Sequence, residues 1–427
     1  MFKLIRSIRN LDAIYRSAPF AANRADTGRP CVRVALTALL TCTPVIGLAA
    51  NADDPVNFVL GTAVRYEDNL FRLSPGTNPV AVLGTSQKSD WVTTSYAGVR
   101  IDKPYSLQRF QLAATATMYR YNTFDYLDFI ANDYRGAWLW SVTPRLTGTL
   151  SSEQREAASS FNDFRNFGAS NVRKTQLHRL TADWWVGGPW HAVGGAYHTK
   201  VRNSSTFTQD ADFSLDAVEA GIRFVSRADN SIAIVHRRGD GEYLNRTANP
   251  VTFIDDAFDE NETQARLRWD ITGKSTLSGY VGHVERNHQN FSERDFRGAV
   301  GQLVYLWTPT GKLRVTLEVG RDLRVYQEAQ NSYFVSNYVV FNPVWLATAR
   351  TSVGLRLDYN TRDFRGPVVP TPVLREDTIK SVRLHADWAP TRTVTVGTFI
   401  QHDQRNSNFA AFEYDSNTVG FSANLRF

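Results

Sequence analysis

The 427-residue chain carries 48 Lys and Arg against 42 Asp and Glu, a formal charge of +6, with 12% aromatic residues and two cysteines. Residues 1–50 hold seven of the basic and two of the acidic groups; the rest balances at 41 against 40, which removes the electrostatic ground for a nucleic-acid partner. Cys31 and Cys42 both fall in that first stretch, so disulfide and thiol chemistry are excluded beyond it.

Lys3, Arg6, Arg9, Arg16, Arg24, Arg29 and Arg33 lead into an apolar run from Val32 to Ala50 that ends in Gly47-Leu-Ala-Ala-Asn-Ala52. A basic region, an apolar core and a small-residue end predict a secretory signal within a leader over 1–52, cleaved after Ala50 or Ala52; the leader's unusual length points to a start codon downstream of Met1. A lipoprotein signal at Leu39-Leu-Thr-Cys42 is the weaker alternative, because Thr41 is a poor residue before an acylated cysteine. After residue 52 no segment approaches the roughly 20 apolar residues of a membrane helix, so any span has to be built from strands.

Period-2 alternation between turn signals predicts strands near 56–66, 90–101, 109–120, 132–142, 145–155, 172–186, 190–202, 211–224, 231–239, 260–270, 275–286, 295–307, 312–322, 334–345, 350–360, 376–388, 391–402 and 415–427. The count is eighteen, with sixteen as the alternative, since 231–239 and 334–345 are weak and the latter contains Pro343. Connectors alternate between tight turns, near 143–144, 187–189, 272–274, 308–311, 346–349 and 389–390, and long polar stretches at 67–89, 121–131, 156–171, 203–210, 240–259, 287–294, 323–333, 361–375 and 403–414. Short turns at one end and long loops at the other are the asymmetry of outer-membrane barrels. The fold expected over 53–427 is therefore an all-β, antiparallel, up-and-down transmembrane barrel, with bacterial outer-membrane lipid as its surroundings.

Trp140, Trp185, Trp269, Trp307, Trp345 and Trp388 recur just before successive tight turns, with Phe224 in the equivalent place; the spacings are 45, 39, 45, 38, 38 and 43 residues. Amphipathic rings at one end of every hairpin predict a membrane-interface girdle. Tyr66, Tyr119, Tyr121, Tyr243 and Tyr359, at the other strand ends, are expected to form a second. The final stretch, Val419-Gly-Phe-Ser-Ala-Asn-Leu-Arg-Phe427, alternates until it stops on an aromatic, similar to the terminal strand of bacterial outer-membrane barrels.

Alternation also divides lipid from lumen. Leu313, Val315, Leu317 and Val319 share one face while Arg314, Thr316, Glu318 and Gly320 share the other. Because a charge on the lipid face costs about 2–4 kcal/mol at the midplane, the charged set points inward. The same reasoning assigns Glu153, Arg155, Arg179, Asp183, Glu219, Arg223, Arg266, Arg268, Asp270, Arg356, Asp358, Arg383 and Asp387 to the lumen. Ion-paired ladders that hold the wall upright are the plain reading of this mixture; a path for a polar or acidic solute is the functional one.

Nothing in the motifs argues for an enzyme or a cofactor. Ser381, His385 and Asp387 have the residue types for acyl transfer, yet all three lie on one face of one strand, about 6–7 Å per two-residue step, too far apart for a triad. His283 and Glu285 form no metal pattern. The carboxylates of 255–261 and of 66–69 have the chemistry for Ca²⁺, against the commoner reading of solvated loops.

The stretch Asp54-Pro-Val-Asn-Phe-Val-Leu-Gly-Thr-Ala-Val-Arg-Tyr-Glu-Asp-Asn-Leu-Phe-Arg-Leu-Ser-Pro-Gly76, above all its part from Tyr66 to Leu73, together with the Trp-x-Pro-Thr turns at Trp307 and Trp388, resembles the EpsL-type barrels of exosortase-linked exopolysaccharide gene clusters, within the putative β-barrel porin 2 group. The resemblance implies an outer-membrane component of exopolysaccharide biosynthesis, with a polysaccharide and a periplasmic polysaccharide-export protein as partners and no catalytic residues. The expected function is an export channel for an extracellular polysaccharide. The alternatives are a general diffusion porin for small solutes, which predicts a constricting loop folded inward, and a structural barrel binding surface or matrix, which predicts a plugged lumen.

Overall fold

The computed structural model describes residues 55–163, 167–328, 331–368 and 373–427. The leader expected over 1–52, with Cys31 and Cys42, lies outside the described residues.

Eighteen strands follow one another in the chain: β1 (Val56–Glu67), β2 (Asp90–Tyr105), β3 (Gln108–Tyr121), β4 (Phe129–Thr143), β5 (Leu146–Ala158), β6 (Val172–Gly187), β7 (Trp190–Asn203), β8 (Phe213–Val225), β9 (Ser231–Tyr243), β10 (Ala257–Thr272), β11 (Ser275–His288), β12 (Phe296–Thr310), β13 (Leu313–Glu328), β14 (Asn331–Leu346), β15 (Thr351–Arg365), β16 (Glu376–Trp388), β17 (Val394–Ser407) and β18 (Tyr414–Arg426). Each pairs antiparallel with its sequence neighbours, and β1 closes on β18 in a register running from Val59 opposite Arg426 to Glu67 opposite Thr418. The closure extends to the last residue: the Phe58 N–H donates to the Phe427 carbonyl at 2.7 Å and the Phe427 N–H to the Phe58 carbonyl at 3.1 Å, with the two rings 6.0 Å apart. The sheet has no free edge, which is the condition for strands to sit in lipid.

Period 2 sorts the side chains as the sequence pattern demands. Phe58, Ile130, Val218, Ile222, Val281, Ile400 and Phe421 are each more than half exposed on the outer wall, a continuous apolar surface that only lipid covers. The Trp ring lies at the end of the short turns. Trp140, Trp269, Trp307, Trp345 and Trp388 occupy outward positions of their strands, and Trp190 meets Phe224 edge-on at 5.4 Å. Gly148, paired with Trp140, leaves room for that ring; a Cβ there would sit 2.2 Å from it.

Three expectations are corrected. Trp185 is not in the girdle: it pairs with His191, which bonds Asp183 in the lumen, so it shares the inner face, while Trp184, 55% exposed, takes the outward place. Of the five girdle tyrosines only Tyr66, packed on Trp91 at 5.2 Å, and Tyr359 face out; Tyr119, Tyr121 and Tyr243 point inward, where extracellular loops cover them. Most of the connector expected over 323–333 is strand: β13 runs on to Glu328 and β14 begins at Asn331. Pro343 lies within β14 and interrupts its ladder with β15 between the Phe341/Leu357 and Val344/Gly354 pairs without shifting the register.

The outward face carries a direct test. Leu317→Arg, on the lipid side of β13, is expected to destabilise the folded barrel by about 2–4 kcal/mol in urea unfolding from vesicles, whereas Thr316→Arg, one residue away on the lumen side, is expected to cost under about 1 kcal/mol.

Candidate functional site

The inner wall is built from alternate positions of all strands, and several of the charges assigned to it form ion pairs or lie over aromatic rings. Asp183 on β6 contacts Arg223 of β8 and takes a 2.6 Å bond from His191 Nδ1. Glu219 on β8 takes Arg266 of β10 at 2.7 Å and the Tyr197 hydroxyl at 3.1 Å. Arg179 lies over the Tyr197 ring at 5.6 Å. Arg356 and Asp358, two residues apart on β15, form a bidentate pair at 2.8 and 2.7 Å. Glu318 accepts from Gln302, Asp270 accepts from the Thr276 hydroxyl at 2.7 Å, and Arg383 sits 3.7 Å over Phe399. Asp387 shares the inner face of β16 with Ser381, His385 and Arg383, spread along the strand. Glu153 pairs in register with Arg135, and Arg155 lies two positions on from it. Arg268 and Arg314 make no ion pair among the described residues.

The sequence reading missed several wall residues toward the extracellular end. Arg237 contacts Glu262 and lies 3.7 Å from Glu260, which takes Arg286 at 2.6 Å. Arg65 and Arg72 both approach Glu67, at 3.6 and 2.5 Å. Alternation from the assigned strand cores upward reaches Arg237, Glu260, Glu262 and Arg286; Arg72 is a loop residue that no period reaches.

The loop between β5 and β6 turns into the lumen at residues 159–163 and 167–171. On its near flank Phe161 and Phe167 pack on Phe71 of the first loop at 4.7 and 5.9 Å, and Phe71, fully buried, meets Phe124 at 4.7 Å. On its far flank Asp163 reaches the opposite wall: Arg362 of β15 at 3.0 Å, Arg405 of β17 at 3.2 Å and Arg375, just before β16, at 3.4 Å. The loop therefore spans from the β1–β4 sector to the β15–β17 sector. Beside it an open cavity is lined by Arg65, Tyr119, Phe129, Phe161, Arg383 and Asp403 among others.

The acidic loop segments have local partners. Asp255 accepts from the Asn290 N–H at 2.7 Å, its side-chain amide at 2.9 Å and the Phe291 N–H at 2.9 Å, tying the β9–β10 loop to the β11–β12 loop. Asp68 caps Asn417, and Asn69 bridges the carbonyls of Leu73 and Asp415. Among the described residues no three His, Cys, Asp or Glu converge to hold a metal.

By sequence, the chain matches no family model and no curated protein. Solved structures similar to it include OccK2 (OpdF) of Pseudomonas aeruginosa in complex with glucuronate, at 10% identity over 88% of this chain and 98% of that one, TM-score 0.47. A BenF-like porin from Pseudomonas fluorescens Pf-5 is similar at 9% identity over 88% and 99%, TM-score 0.48. The siderophore receptor PirA of Pseudomonas aeruginosa follows at 9% over 88% and 80%, TM-score 0.41. Likenesses this distant carry no information on solute or partner.

Burial pushes the Asp255 carboxyl up, but the hydrogen bonds from Asn290, Phe291 and Ala257 outweigh it and hold the group below its ordinary value of 3.8. A depressed carboxylate stabilises the fold above its unfolded pKa and loses that contribution as pH falls through the folded value. Amide exchange at Asn290 and Phe291 is therefore expected to be flat from neutral pH down to about 4 after correction for intrinsic rates, then to accelerate, and Asp255→Asn is expected to remove the acid step.

Proposed function

We propose that the protein is a bacterial outer-membrane channel for small polar solutes. The observation that carries this reading is the inward loop after β5: Phe161 and Phe167 are held by Phe71 on one side, and Asp163 by three arginines on the other. A loop fixed in this way narrows a wide barrel to a size that selects by charge and bulk, while the ladders on either side offer exchangeable partners to a moving solute. The outward apolar wall and its aromatic ring place the barrel in lipid, and closed barrels of this type belong to the bacterial outer membrane.

Export of an exopolysaccharide, with a periplasmic export protein as partner, is the expectation drawn from the family resemblance. The pinned loop weighs against it, since a glycan chain would have to pass where Asp163 is held. A matrix-binding structural barrel needs a filled lumen, and the cavity beside the loop speaks against that.

Purified protein in planar bilayers is expected to give steady single-channel conductance without any polysaccharide gene product. Deleting residues 161–167 is expected to raise that conductance several-fold. Arg268→Glu, Arg314→Glu and Arg356→Glu together are expected to move the reversal potential in a salt gradient toward cation selectivity. An absence of conductance from folded barrels, or a capsule defect on gene deletion with no change in solute uptake, overturns the channel reading in favour of export.

A further inference from the structure

Arg362, Arg375 and Arg405 converge from β15, from the residue before β16 and from β17 onto one point of the lumen. Their side chains are 1%, 5% and 0% exposed, which for three guanidiniums demands dedicated support. Aromatic faces supply part of it. Arg375 lies 3.5 Å over Phe412 and 4.3 Å over Phe364, Arg362 lies 5.3 Å over Phe334, and Arg405 lies 5.5 Å from Phe412. Asp377 supplies the rest from below, in close contact with Arg405 and 3.0 Å from Arg375. The donors are thus fixed before any ligand arrives, with Asp377 as a built-in anion beneath two of them.

Asp163 also meets all three arginines, and it meets them loosely. Its contacts to the three arginines run from 3.0 to 3.4 Å, whereas Arg–carboxylate bonds normally settle near 2.7–2.9 Å. Asp163 is also the more exposed carboxylate, 14% against 0% for Asp377. It comes from a loop rooted on the other side of the barrel, so its position is a compromise between the arginines and the Phe161–Phe71 contact. A free carboxylate has no such tether.

We propose that Arg362, Arg375 and Arg405 form a binding site for small carboxylate solutes, and that Asp163 occupies it as an internal stand-in when no solute is present. The carboxylate class follows from the resident group, which the arginines already accommodate through both oxygens. Binding of the solute exchanges one carboxylate for another, so the charge beside the buried guanidiniums is conserved. How the solute reaches the site rests on the channel reading above; the binding itself does not.

The test is calorimetric titration of the folded full barrel in detergent with sodium acetate, and separately with sodium phosphate, at neutral pH and constant ionic strength. Asp163→Ala and Asp163→Asn, each checked for the folded barrel by heat-modifiable gel migration, are expected to bind acetate at least about tenfold more tightly than the unmodified protein, because the internal competitor that taxes the apparent affinity is gone. Adding Arg405→Gln to Asp163→Ala is expected to abolish the gain. Acetate binding no tighter in both Asp163 variants, or a gain that survives Arg405→Gln, overturns the site; a larger gain for phosphate than for acetate overturns the carboxylate assignment. Bilayer conductance of the same preparations reports on the channel independently: tightening without conductance removes the channel and keeps the site, and conductance without tightening does the reverse.

Discussion

The structure depends on the rule that strands in hydrocarbon leave no backbone group unpaired. Each open N–H or C=O in lipid costs several kcal/mol, so a sheet of this length exists in a bilayer only when its first and last strands meet. That is why the terminal residue matters. Phe427 donates to and accepts from Phe58, which carries the β1–β18 ladder to the chain end and lays one more aromatic ring at the interface. Once closure is imposed, period 2 leaves no freedom about which face meets lipid, and the charged alternates have only the interior.

The interior then faces its own constraint, which is how to keep so many ions in a partly desolvated space. The chain answers with arginine alone. Lys174, Lys200 and Lys380 sit on outward positions and Lys274 and Lys312 in turns, while Arg179, Arg223, Arg237, Arg266, Arg286, Arg356, Arg362, Arg383 and Arg405 line the wall. A flat, weakly hydrated guanidinium lies on a ring and bonds a carboxylate in its own plane at the same time; an ammonium does neither as well. Arg383 over Phe399 at 3.7 Å and Arg286 over Phe258 at 3.9 Å, the latter also bonded to Glu260, show both uses. A cation held by a face and an edge, as Arg286 is, stiffens the wall.

Strand count, direction and the division into lipid and lumen were legible in the sequence because they follow from alternation and turn spacing, which are local. The errors are local too. Trp140, Trp269 and Trp307 stand four residues before the first turn residue, at 144, 273 and 311; the residue in that phase before the 188–189 turn is Trp184, and choosing Trp185 slipped the period by one. Tyr119, Tyr121 and Tyr243 were misplaced because the lipid rule stops applying above the bilayer. There Arg120 turns outward to Asp128 at 2.8 Å and the rings turn inward under the loops. Asp163 was illegible for a different reason: its partners lie 199 and more residues away, and no period links a loop to the far wall.

The stretch from Tyr66 to Leu73 joins these levels. Tyr66 is the last outward residue of β1 and packs at a tilt on Trp91; Glu67, one position on, faces in and holds Arg72, which also reaches the Ser416 hydroxyl at 2.6 Å. Asn69 pins the loop to the carbonyls of Leu73 and Asp415, and the reversal places Phe71 at the centre of the aromatic cluster that receives Phe161 and Phe167. Eight consecutive residues thus pass from membrane interface to barrel closure to the socket of the constricting loop. Their order is set by that path: an aromatic for the interface, a carboxylate and an amide for the turn, an apolar ring for the socket and an arginine to tie it back to β18. The same path sets Phe71 where its ring holds Phe161 and Phe167 against the near wall while Asp163 reaches the far one.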